Sequence, residues 1–235
     1  KAMRSVGPEK TLILVGLVNT AVLGILGIVL AHIVGLFVAA MAISRNGSLN
    51  LVAQGYVELF RNIPLIVQLF LWLYVVPQML PREFSFWWNR LDNVPYWTAM
   101  IGISFYTSAR LAEQIRSALR AIPPGQFKAG LSTGLTQVQV YRYVIVPYAL
   151  RIIIPALTSE FLTVFKNTAL ALTIGVIEIT ATTRRIEAWS FRGIEAYTVA
   201  SLTYIATTIL VILFMSWLER RYQIPGLIKR GEARV

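Results

Sequence analysis

Thirty-four consecutive residues, from Thr11 to Ser44, contain no formally charged side chain. About 20 apolar residues suffice to cross a bilayer as a helix, so this run is longer than one crossing needs. It can tilt, or project beyond the hydrocarbon at one end. Small residues recur along it, and Gly24, Gly27 and Ala31 fall near one helix face, where they permit a neighbouring helix to come close. Hydrophobic residues make up 56% of the 235-residue chain, which places it in the membrane class.

The net charge of +11 would suggest nucleic acid in a soluble protein. Here the basic residues lie mainly between and after apolar runs, the pattern of segments held on the cytoplasmic side of a membrane, so no nucleic-acid partner is expected. The chain has no cysteine, which excludes disulfides and thiolate metal sites. Its single histidine, His32, lies in an apolar run and is expected to pack or to sit at the interface, not to ligate a metal. The opening ten residues carry no signal-peptide cleavage pattern and are compatible with a trimmed start.

The hydrophobic pattern gives one all-α membrane domain over 1–235, with about five transmembrane helices near 11–44, 56–81, 95–119, 148–179 and 196–219. Pro64 is expected to kink or restart the second span. Glu58 and Arg61 stand at i and i+3, close enough to pair. Residues 82–95, with Trp87 and Trp88, read as an interfacial segment. The third span carries Arg110, Glu113 and Arg116 three residues apart. The fourth carries Glu160 and Lys166, whose spacing puts them on different faces. Charges at such depths face a protein interior or an aqueous cavity.

Between the third and fourth spans lies a polar, basic loop over 122–147. Pro123, Pro124 and Gly125 end the preceding helix. After Gly134, Thr136 is a good N-cap, and Gln139 three residues on completes a capping box. Leu135 and Val140 stand at the positions of a hydrophobic staple. A helix, a glycine turn and a second helix are thus expected outside the membrane, pinned to a span at each end and suited to docking on a partner.

Orientation follows from charge. One side collects Arg45, Arg61, Arg110, Arg116, Arg120, Lys128, Arg142, Arg151 and the basic tail. The other has Lys1, Arg4, Lys10, Arg82, Arg90, Arg184, Arg185 and Arg192. The first set is larger and is expected to be cytoplasmic, with the N-terminus outside and the C-terminus inside.

No catalytic constellation is present: no G-x-S-x-G, no H-E-x-x-H, no phosphate-cradling glycine loop followed by lysine. A transporter subunit fits the residues best. The alternatives are a secondary amino-acid transporter, which would need an inverted repeat that five spans do not provide, and a non-transporting membrane scaffold, which leaves Lys166 without a role.

The segment Lys128-Ala129-Gly130, then Gly134, then Val144-Ile145-Val146-Pro147 resembles the coupling motif of permease subunits in ATP-binding-cassette importers. That motif reads E-A-A, three residues, G, nine residues, I-x-L-P. Lys128 stands where the family usually has glutamate, and Gly130 where it has alanine. YVELFRNIPLIVQ at 56–68, AEQIRSALRAIPPGQ at 112–126 and KNTAL at 166–170 are similar to the polar amino-acid branch, nearest to permease subunits of glutamate/aspartate importers.

The resemblance implies a type I importer permease fold with a cytoplasmic coupling helix, in the bacterial inner membrane among its lipids. It implies an ATP-binding-cassette ATPase dimer, a second permease subunit, identical or homologous, and a periplasmic amino-acid-binding protein as partners. The chain itself would hydrolyse nothing and hold no cofactor; ATP and magnesium would bind the ATPase. Lys128, Ala129, Gly130, Gly134, Thr136, Gln139 and Pro147 would couple to that ATPase. Arg110 and Lys166 would line the path of an anionic substrate, with Thr107, Glu160, Asn167 and Thr168 beside them. Arg110 is expected either to meet a substrate carboxylate or to pair with Glu113.

Overall fold

The computed structural model describes residues 8–221, which contain helices and no strand. Lys1, Arg4 and the basic tail after Arg221 lie outside the described residues. Helix α1 is Pro8–Ala42. Helix α2, Gly47–Asn62, starts where Asn46 Oδ1 accepts from the Ser48 N–H at 3.0 Å. Helix α3, Leu65–Met79, leaves α2 at 103°. Pro64 causes the break, since it has no N–H to give the ladder and holds Ile63 in extended backbone. The single span expected over 56–81 is therefore divided, its first seven residues, about two turns, belonging to α2. Gln68 repairs the break: its Nε2 donates to the carbonyls of Phe60 and Ile63 at 2.7 and 2.8 Å.

A short helix, α4 (Arg82–Asn89), carries the Phe84, Trp87 and Trp88 rings in mutual contact. Helix α5 is Val94–Arg120 and α6 is Pro124–Ser132. Helix α7 runs Gln137–Ile174, α8 is Ile179–Ser190 and α9 is Gly193–Arg221. Two widened π-type turns interrupt the helices, Leu71–Val75 in α3 and Tyr141–Ile145 in α7. Each precedes a proline by two residues, Pro77 and Pro147. A proline ring collides with the carbonyl four residues back, and in both cases that carbonyl lies within the widened turn. Helix α7 tightens to a 3₁₀ helix over Thr168–Ile174 and stops on Gly175, whose φ of +90° suits glycine. It therefore ends short of the expected limit at 179.

Contacts along the helices give their directions. Tyr96, early in α5, reaches the Asn19 carbonyl of α1, while Ala112, late in α5, packs with Val38 and Ala39. The two helices are parallel. Helix α7 is antiparallel to them: its Ala149 packs with Ala118, and its Phe165 with Leu23 and Ile103. Helix α9 starts beside Ile13 of α1, and its Val211 packs on the cluster that holds Leu23 and Ile28, so it runs parallel to α1. The 122–147 loop and the C-terminal ends of α1, α5 and α9 therefore share one end of the bundle.

The small residues of α1 let these helices approach. A Cβ at Gly24 would come within 2.7 Å of the Phe165 ring, and one at Gly35 within 3.1 Å of the Ser108 carbonyl. The Gly27 carbonyl accepts from Ser104 Oγ at 3.1 Å. His32 behaves as a packed helix residue: its Nδ1 lies 2.8 Å from the Ile28 carbonyl, and its ring meets Phe161 edge-on at 5.3 Å. Three helical stretches are long and apolar enough to cross a membrane, and the bent α2–α3 pair makes a fourth. Helix α5, with 27 residues, has the length for a fifth but carries four charges in its last three turns.

Candidate functional site

Those α5 charges are where chemistry concentrates. The Glu160 carboxylate is buried in the bundle at 2% exposure, and two α5 side chains hold it. Arg110 donates from Nε to both carboxylate oxygens at 3.1 and 3.0 Å, and from Nη2 to Oε1 at 2.9 Å. Gln114, one turn along the same face, donates from Nε2 to Oε1 at 2.6 Å. Tyr106, one turn the other way, puts its ring 5.8 Å below the guanidinium. A buried carboxylate without such donors would be costly, and here Arg110 and Gln114 satisfy it from the protein side. Arg110 remains 38% exposed, and Nη1 makes no hydrogen bond among the described residues.

The alternative pairing of Arg110 with Glu113 does not occur. Glu113 instead takes Arg116 in a two-pronged bridge at 2.9 and 2.7 Å. Glu58 and Arg61 form no ion pair, although both border the small pocket beside Glu113 and Arg116.

The other residues expected along a substrate path lie elsewhere. Lys166 is exposed in the last α-helical turn of α7 and has no ion-pair partner among the described residues. It borders a groove of about 460 Å³ between α7 and α9, with Ala169, Tyr204 and Thr208. Thr107 is buried. Asn167 is half-buried, and the buried Thr168 hydroxyl donates to its own helix at Phe165 O. The structure thus joins Arg110 to Glu160 and sets Lys166 apart from them.

Two functional-looking residues escape a sequence reading. Gln114 stands at i+4 from Arg110, which would have marked the shared face. Glu178 is fully buried and caps α8, accepting from the Thr180 and Ala181 N–H groups at 2.9 and 2.7 Å and from the Tyr204 hydroxyl at 2.8 Å. Glutamate is not among the preferred N-caps, so no local signal announces it. Beside it the Ile179 N–H donates to Thr20 Oγ1, and Asn19 Nδ2 to the Ile177 carbonyl. That knot ties α1, α8 and α9 at the end of the bundle remote from the loop.

The loop is built from local signals. The Thr136 hydroxyl accepts from the Gln139 N–H at 3.4 Å, and the Gln139 side chain accepts from the Thr136 N–H at 2.8 Å, which closes the capping box. Gly134, at φ +85°, ends α6: its N–H donates to the Leu131 carbonyl and that of Leu135 to the Gly130 carbonyl. Gly130 lets α6 touch α7, since a Cβ there would lie 2.9 Å from Val140 Cγ2. Val140 is fully buried, and Leu135 packs against its cluster. Lys128, Ala129, Gly134, Thr136 and Gln139 all face outward, and Pro147 is half-buried behind the widened turn.

An all-helical bundle with long apolar helices, buried charge and a rigid polar projection at one end is a multi-pass membrane protein of the transport class. Residues 25–224 match the family described as binding-protein-dependent transport system inner membrane component, and the chain belongs to that family. It is 38% identical to the glutamate/aspartate import permease protein GltJ of Escherichia coli (strain K12) over 210 residues, 88% of this chain and 85% of that protein. It is 34% identical to the probable amino-acid ABC transporter permease protein PatM of Vibrio harveyi, over 83% of this chain and 84% of that one. The crystal structure of an amino acid ABC transporter with histidines superposes with a TM-score of 0.77 at 31% identity, covering 90% of this chain and 94% of its own. The inward-facing MetNI methionine transporter shares the fold, with a TM-score of 0.73 at 18% identity, covering 93% and 100%. The protein is therefore a permease subunit of an ATP-binding-cassette importer, in the inner membrane.

Proposed function

We propose that this chain carries polar amino acids, glutamate and aspartate foremost, inward across the membrane by alternating access. The carrying observation is the Arg110 guanidinium: Glu160 engages its Nε and Nη2, and in a side chain 38% exposed Nη1 remains for a ligand carboxylate. A substrate carboxylate leaving water needs a cationic donor on its route, and guanidinium offers paired donors that ammonium lacks. The similarity to GltJ supports the acidic class. Lys166, Thr107, Asn167 and Thr168 complete the route, with Glu160 holding Arg110 in place.

In this reading a periplasmic binding protein delivers the substrate, a second permease subunit closes the pathway, and an ATPase dimer binds the 122–147 loop. ATP and magnesium act on that ATPase. The loop end of the bundle is cytoplasmic and the N-terminus periplasmic. The coupling residues are Lys128, Ala129, Gly130, Gly134, Thr136, Gln139 and Pro147.

The test is uptake by the reconstituted importer across a panel of amino acids. Glutamate and aspartate should drive uptake and stimulate ATP hydrolysis. In an assembled Arg110→Lys importer the half-saturating glutamate concentration should rise roughly tenfold, the loss of one charge-assisted contact. Wild-type affinity in that variant would overturn the role of Arg110. ATP-independent uptake would overturn the class.

A further inference from the structure

The surface of the 122–147 segment has a composition of its own. Between Gln114 and Ser159 the chain has five basic residues and no acidic one: Arg116, Arg120, Lys128, Arg142 and Arg151. Arg116 is taken by Glu113. Arg120, Lys128 and Arg142 are exposed and have no ion-pair partner among the described residues. Apolar side chains lie exposed among them: Val138 at 76%, Tyr141 at 53% and Leu131 at 39%.

These groups share one surface. Val138, Tyr141 and Arg142 follow at i, i+3 and i+4 on α7, and Lys128 and Leu131 at i and i+3 on α6. Tyr141 meets Phe127 of α6 edge-on at 5.6 Å, and Gly130 seats α6 on Val140. The two helices therefore present a continuous apolar centre with cations at its edge. Interfaces commonly have this layout, with an apolar middle and a polar rim.

We propose that this surface selects an ATPase subunit whose docking groove is apolar at its floor and acidic at its rim. The inference rests on the proposed coupling role of the loop and adds the chemistry of the partner. An anionic lipid surface would also attract the cations. It would leave the helix pair, braced by a capping box and a glycine-sealed turn, without a purpose, and a groove in a protein uses that rigidity.

Such a surface divides labour between its two parts. Apolar burial governs how long the complex lasts, while rim charge governs encounter and salt response. The experiment measures binding of the purified permease assembly to the purified ATPase subunit that supports its ATP-driven uptake, between low and high salt. Wild-type affinity should fall with salt. The double variant Lys128→Glu/Arg142→Glu should bind roughly tenfold more weakly at low salt and lose most of the salt response. The neutral pair Lys128→Gln/Arg142→Gln should fall between, which separates charge from misfolding. Val138→Ser should weaken binding at every salt concentration.

Binding that ignores both salt and charge reversal would overturn the acidic rim while leaving the loop as the docking element. Binding of the ATPase unaffected by Val138→Ser and by both charge pairs would overturn the docking surface itself. If charge reversal abolished adsorption to anionic vesicles but not ATPase binding, the cations would belong to the membrane and the proposal would fail.

Discussion

The Arg110–Glu160 cluster and the 122–147 loop are both polar structures in an apolar chain, and they are made in opposite ways. The cluster joins residues 50 positions apart on two helices, and Arg110 satisfies the buried Glu160 carboxylate. The loop is assembled largely from contacts between near neighbours in the chain: Thr136 with Gln139, Gly134 with Leu131, Gly130 with Val140, Phe127 with Tyr141. Damage to the cluster should therefore reach the whole bundle, whereas damage to the loop should stay local.

The largest effect is expected at the cluster. Arg110→Leu strands a buried carboxylate and should destabilise the assembly by about 3 kcal/mol or more. Arg110→Leu/Glu160→Leu removes both charges and should recover most of that loss, in thermal unfolding of the purified importer. If the double variant is as unstable as the single one, the pair does not hold α5 to α7.

The loop should respond less and more locally. Gly130→Ala forces a methyl group against Val140, a β-branched side chain with little rotamer freedom, and should cost about 1 to 2 kcal/mol. The cost should shrink in a Val140→Ala background, where the space is open. Thr136→Ala removes the N-cap and should cost about 1 kcal/mol. Hydrogen exchange should register it in α6 and the start of α7, with α5 unaffected. Loss of protection throughout the bundle would mean that the loop and the spans fold as one unit.

The same contrast explains what a reading of the chain alone can reach. The capping box, the glycine stop and the restart at Pro64 are written in neighbouring residues, and the structure carries each of them. Family resemblance also rests on short motifs, and the fold follows from it. Arg110 and Glu160 are each visible as charges in apolar surroundings, but their pairing is not. Local spacing offers Arg110 a nearer acid, Glu113, which the equally near Arg116 takes. The antiparallel register of α5 and α7 decides the matter, and register is a property of packing. Glu178 is hidden for a similar reason, because the Tyr204 hydroxyl that helps to satisfy its buried carboxylate stands on a helix further along the chain.

Lys166 carries the smallest expected effect on the fold and separates fold from transport. It is exposed and without an ion-pair partner among the described residues, so the folded chain owes it little beyond its place near the C-terminal end of an α-helix. A cation there gains some tenths of a kcal/mol from the helix dipole. Lys166→Met keeps the length of the side chain and gives up only that term, so stability should change by about 0.5 kcal/mol or less. If the groove it borders with Tyr204 and Thr208 lies on the substrate route, uptake of glutamate should fall in this variant with its unfolding temperature unchanged. Arg110→Leu should lower both. Equal uptake by Lys166→Met and wild type would remove Lys166 from the route and leave Arg110 as the cation there.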